Sequence, residues 1–93
     1  MTPPAEIRRK QLAYRATHRG SKEADAIFSA FSALHLSELD EAELETFAAL
    51  LDVPDPDLFD WLMGNAPVPR EFDTRVFERL KTLCERKHPL WNA

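Results

Sequence analysis

Apolar side chains recur every three or four residues in each strongly patterned segment of this chain, and no run alternates at period two for long enough to make a strand. That spacing puts Ala24, Ile27, Phe28, Phe31 and Leu34 on one face, and Leu44, Phe47, Ala48 and Leu51 on a second. Phe72, Val76, Leu80 and Leu83 fall in register on a third. Stripes at this spacing are buried by helices. The expected fold is all-α, a compact five-helix bundle forming a single domain over residues 1–93, with its core at about 8–87 and flexible ends.

Punctuation residues set the expected boundaries. Thr2 and Pro3 suit the start of a first helix that reaches about Thr17. Gly20 supplies the positive φ that commonly closes a helix, and Ser21 is placed to cap the next, about Lys22 to Leu34. Asp40 and Glu43 stand at capping-box distance for a third helix that runs to Asp52, where Val53 and Pro54 break it. Asp55 as N-cap and Pro56 as first helical residue open a fourth helix, which carries Leu58, Phe59, Trp61 and Leu62 and ends at Gly64. Pro67 and Pro69 make 65–71 an extended linker, and a last helix spans about Phe72 to Lys87, ahead of Pro89.

The first helix is different in kind. Ile7, Leu12 and Tyr14 make no clean apolar stripe, whereas Arg8, Leu12, Arg15 and Arg19 share a face if the helix continues that far. Charge is segregated along the chain in the same way. Residues 1–22 carry six basic side chains against Glu6 alone, and residues 23–64 hold eleven acids with no Lys or Arg at all. The net charge of −4 hides this division. Two readings follow: faces that attract each other within the fold, or a polarised docking surface for a protein partner.

Several function classes lose ground on composition. A chain of 93 residues buries only about two thirds of its unfolded surface, which leaves little for a deep private pocket, so no self-contained enzyme is expected. Two glycines cannot build a Gly-rich phosphate loop. His18, His35 and His88 lack metal-ligand spacing, and Cys84 is alone, so no metal site and no internal disulfide are expected. The start lacks the apolar core of a secretory signal, and no apolar run approaches the roughly 18 residues that span a bilayer, which points to the cytoplasm without membrane insertion. Nucleic acid is not an expected partner: the acidic middle repels phosphate, and the second helix offers Lys22 and then acids where a recognition helix needs donors.

One motif survives this elimination, Arg19-Gly20-x-x-Glu23. Read alone it is a helix stop followed by a first-turn acid, with Arg19 as an i, i+4 partner of Glu23. Its surroundings say more. RRKQLAYRATHRGSKEAD is followed by L-x-E-L-x-x-x-E-L from Leu36 to Leu44 and by D-x-P-D-P-D-L-x-x-W-L from Asp52 to Leu62. In this order the three resemble the SdhE family, small factors that assist covalent attachment of FAD to the flavoprotein subunit of succinate dehydrogenase. The resemblance is close over about 8–64 and looser from Glu71, and it departs at Ala24, where the family commonly has a larger apolar residue.

The resemblance implies a five-helix assembly chaperone and no enzyme of its own. Its partner would be that flavoprotein subunit, with the fumarate reductase flavoprotein as a further candidate client. FAD would be held by the partner, and none would be bound stably here. In such a system a histidine of the partner attacks the flavin 8α carbon, and the helper contributes positioning. Carried onto this sequence, Arg19 and Glu23 would make polar contacts with the partner while Gly20 allows close backbone approach. By the stripe on the first helix, Arg8, Tyr14 and Arg15, with His18 and Asp25 close by in sequence, would extend the docking face of what is expected to be a monomer. The alternative is an antitoxin-type or nucleic-acid-associated regulator.

Overall fold

The computed structural model describes residues 5–19 and 21–86. Thr2 and Pro3, Gly20 and the chain from Lys87 onward, with His88 and Pro89, lie outside the described residues. Five α-helices follow one another: α1 (Ala5–Ala16), α2 (Lys22–His35), α3 (Glu41–Leu51), α4 (Asp55–Leu62) and α5 (Arg75–Arg86). Short 3-10 turns at Leu36–Glu38 and Arg70–Phe72 link α2 to α3 and lead into α5. The described residues contain no strand.

The boundaries follow from local chemistry. Ser21 caps α2, its hydroxyl accepting the Ala24 N–H at 3.2 Å. Asp40 and Glu43 close a reciprocal capping box on α3, with Glu43 N–H donating to Asp40 Oδ1 at 2.8 Å and Asp40 N–H to Glu43 Oε1 at 3.2 Å. Gly64, at φ 78, ends α4. Its N–H donates to Trp61 O at 3.3 Å while Asn65 N–H reaches back to Asp60 O at 2.8 Å, the paired bonds of a Schellman stop.

α2 is the centre of the packing, lying against both α1 and α5, while α3 packs on α1 and α5 and α4 on α5. Phe28, Phe31 and Phe47 are fully buried where α2 meets α3. The Phe31 and Phe47 rings stack with centroids 5.1 Å apart, and Phe28 meets Phe47 edge-on at 5.8 Å. Leu44, Leu50, Leu58, Val76, Phe77 and Leu80 close the core around them. The Cα radius of gyration, 12.6 Å, is close to the ~12 Å expected of a compact domain this long.

Three local expectations need correction. Leu34, expected on the inner face of α2, is 45% exposed, because the 3-10 turn carries Leu36 and Leu39 over that end of the core instead. Phe72 does not begin α5. It sits in the preceding 3-10 turn with its ring 5.2 Å from that of Trp61, and Thr74 caps α5 by accepting the Phe77 N–H at 3.4 Å. Asp55 is not the N-cap of α4. Pro54 holds that position with no side-chain cap, Asp55 is already helical, and its carboxylate is taken by Arg19.

Candidate functional site

α1 stops at Ala16, so Arg19 is not on the helical stripe that its spacing suggested. Leu12 and Ala16 are fully buried and fix the inner face of α1, which directs its charged residues sideways and Ile7 and Tyr14 outward. Arg8 pairs with Glu45 at 3.4 Å, Arg15 pairs with Asp52, and the half-buried Arg9 donates to Leu39 O at 2.6 Å. The basic amino-terminal territory thus lies against the acidic stretch within one fold. Tyr14, 66% exposed, remains on the outer face and stacks on His18, with ring centroids 4.0 Å apart and planes 17° from parallel.

His18 Nδ1 lies 2.7 Å from Tyr14 O and 2.9 Å from Thr17 Oγ1. A carbonyl oxygen can only accept, so Nδ1 carries the proton and the neutral ring keeps Nε2 as its acceptor. The pair offers an aromatic face and a ring nitrogen at the surface.

Arg19 turns inward, with its side chain only 8% exposed. Nη1 donates to Leu51 O, and Nη2 donates to Val53 O at 2.8 Å and Asp55 Oδ1 at 2.6 Å. The guanidinium carbon stands 4.8 Å from the centroid of the Phe28 ring, within cation–π range. The backbone N–H of Arg19 donates to Asp25 Oδ1 at 2.7 Å, which ties the turn to the first turn of α2. Burial pushes the Asp55 carboxyl up, but hydrogen bonding from Ser21 and Arg19 and the Arg19 charge outweigh it, leaving its pKa below the ordinary carboxylate value.

Between these elements lies an open cleft of about 580 Å³. Tyr14, Arg15, His18 and Arg19 form one wall, and Leu51, Pro54, Asp55 and Pro56, from the corner between α3 and α4, form the other. Four residues singled out in the sequence therefore meet at one place. Arg8 lies further up α1 against Glu45, outside the lining of the cleft. Glu23 is exposed on the first turn of α2 and makes no ion pair among the described residues; the i, i+4 pair with Arg19 does not form. Asp25 is half-buried and serves the Arg19 backbone.

The opposite wall was assigned to no site in the sequence, where Asp52 to Leu62 counted toward the family resemblance and its Pro-flanked acids as helix punctuation. Its one signal was charge, an acidic corner in a chain whose first helix is basic. Among the described residues no group of three or more His, Cys, Asp or Glu side chains could hold a metal ion. Burial and the adjacent Glu85 push the half-buried Cys84 thiol up, away from the thiolate a nucleophile needs. No helix among the described residues is long and apolar enough to cross a membrane.

Residues 10–84 match the sequence profile of a family described as the flavinator of succinate dehydrogenase. A mitochondrial succinate dehydrogenase assembly factor 2 of Dictyostelium discoideum is 38% identical over 77 residues, covering 83% of this chain and 55% of that protein. The FAD assembly factor SdhE of Acetobacter pasteurianus is 37% identical over 73 residues, covering 78% of this chain and 67% of its own length. That of Haemophilus ducreyi is 32% identical over 81 residues, covering 87% of this chain and 98% of itself. The chain thus spans about half the length of the Dictyostelium protein and nearly all of the Haemophilus one.

Proposed function

This chain belongs to the family of succinate dehydrogenase flavinators, and from that membership we propose that it docks on the flavoprotein subunit of succinate dehydrogenase and promotes covalent attachment of FAD there. The profile match over residues 10–84 carries this reading, because it takes in α2 to α4 whole and most of α1 and α5. The flavin and the histidine that receives it belong to the partner. This chain works by holding the flavoprotein so that the reacting atoms align, a gain of orientation with no catalytic group of its own.

Docking uses the outer face of α1 and the mouth of the cleft. Ile7, 48% exposed, and Tyr14 lie two turns apart on one face of α1 and are left without apolar cover in the isolated chain. Lys10 lies between them in sequence and is also exposed, and the Tyr14–His18 stack continues the surface to the cleft. Glu23, the last residue of the Arg19-Gly20-x-x-Glu23 motif, supplies an exposed carboxylate. Tyr is enriched at protein interfaces, where it gives a large contact area at low conformational-entropy cost, and Lys10 and Glu23 suit the polar rim around such a contact. The chain acts as a monomer in the bacterial cytoplasm, and the fumarate reductase flavoprotein is a second client of the same surface.

The test is to produce the succinate dehydrogenase flavoprotein with and without this chain and to read flavin fluorescence on a denaturing gel. Covalent flavin should rise when the chain is present; equal amounts in both would end the proposal. Gly20→Arg should abolish the gain while the far-ultraviolet circular dichroism stays helical, since a large side chain within the Arg19-Gly20-x-x-Glu23 motif obstructs the partner's approach. The same assay on the fumarate reductase flavoprotein decides the second client.

A further inference from the structure

We infer that Arg19 acts inside the chain as a positioning residue, a clamp that locks the turn after α1 onto the corner between α3 and α4 and so presents Glu23 and the Tyr14–His18 pair to the flavoprotein. This rests on the proposed function for what is presented, and on geometry alone for the clamp. The motif by itself makes Arg19 and Glu23 equivalent polar contacts. Their surroundings separate them, since Glu23 is exposed and Arg19 is 8% exposed at the side chain.

Every acceptor of the guanidinium belongs to the chain itself. Leu51 is the last residue of α3, where carbonyls lack intrahelical donors and a cation is favoured by the helix dipole. Val53 lies just past that end, and Asp55 is the first residue of α4. One planar fork therefore caps α3 and pairs with the start of α4, with its face on Phe28 of α2 and its backbone N–H on Asp25. Nε is buried with no acceptor among the described residues, so the edge that could have met an incoming carboxylate is closed. The two walls of the cleft are joined by this side chain: Arg19 contributes to one wall, and its bonds go to Leu51 and Asp55 of the other.

A lysine keeps the charge but offers a compact ammonium on a flexible stem, which cannot reproduce the fork across these acceptors. The clamp is therefore tested with full-length Arg19→Lys, Asp55→Asn and the double variant. Folded fraction is followed by circular dichroism, and the concentration of chain that half-saturates covalent flavin attachment is measured. With Arg19 acting through the corner, Arg19→Lys raises the half-saturating concentration by about tenfold, Asp55→Asn raises it less, and the double variant is no worse than Arg19→Lys alone. Additive losses would mean that Arg19 touches the partner directly and would overturn the clamp. So would a loss in Arg19→Lys that matches its unfolded fraction.

Amide NMR of the isolated chain supplies an arm that needs no partner. Arg19→Lys should shift resonances over 14–25 and 51–55 and leave those of α5 unchanged; an unmoved corner would overturn the clamp. If the unaltered chain fails to raise covalent flavin, the proposed function falls, and the amide spectrum still decides whether Arg19 is a clamp.

Discussion

At the residue scale the most informative group is Asp55, which the sequence marked as a helix cap and the structure uses as a counter-ion. Its folded pKa lies below the ordinary value, so folding binds it more firmly in the charged form. Unfolded aspartates titrate at about 3.9, so the stability it contributes is complete above that pH and is lost as the pH falls through it toward the folded value. The melting temperature of Asp55→Asn should therefore lie below that of the unaltered chain at pH 7, and thermal melts should show the gap closing below about pH 4. Arg19 teaches the same lesson about legibility. Its spacing from Arg8 and Arg15 puts it on a helical face, but α1 ends at Ala16, and beyond that point periodicity says nothing about where a side chain turns. The four cleft residues of the first wall were legible by type, and the inward path of one of them was not.

At the scale of elements, apolar period and caps together placed the starts of α2 and α3, whereas the cap read at Asp55 does not form. Ser21, the Asp40–Glu43 box and Gly64 each sit where their chemistry required. Phe72 and Leu34 were misplaced because each lies at the edge of a 3-10 turn, and such turns leave too short a pattern to register. The Gly64 stop gives a clean measurement. A Cβ there would meet nothing within 4 Å, so the cost of Gly64→Ala is purely the positive φ. It should amount to about 1 kcal/mol, or a fall of roughly 4–8 °C in a thermal melt of a domain this size.

α1 buries only two residues fully, Leu12 and Ala16. Its ion pairs to α3 are partly exposed, and such pairs contribute about 0–1 kcal/mol each, which leaves Leu12 and Ala16 as its main anchors. Leu12→Ala should cost about 2–5 kcal/mol. Hydrogen exchange should then show α1 amides losing protection well before those of α2 or α5.

For the whole molecule, the all-α bundle was legible because every strongly patterned segment repeats at the helical period and none at period two, so competing architectures had no support. The way the helices meet was less so. Phe28, Phe31 and Phe47 were each assigned to an inner face, but nothing in a single sequence says that Phe47 stacks on Phe31 and meets Phe28 edge-on. Charge segregation left two readings open, and the pairs Arg8–Glu45, Arg15–Asp52 and Arg19–Asp55 realise the attraction within the fold. Which acid each arginine finds depends on helix order in space.

The clamp at Arg19 also carries a kinetic consequence. Its acceptors lie 32 to 36 residues away along the chain, so the bonds form only after α3 has ended and the corner has returned to α1. Contacts closing such a loop are entropically costly before the core exists to hold them, which places them after the folding barrier. Arg19→Lys should consequently speed unfolding in stopped-flow denaturant jumps and leave the refolding limb unmoved. The residue that binds the two walls together would then be the last to engage on folding, and its loss would shorten the lifetime of the native state without slowing its formation.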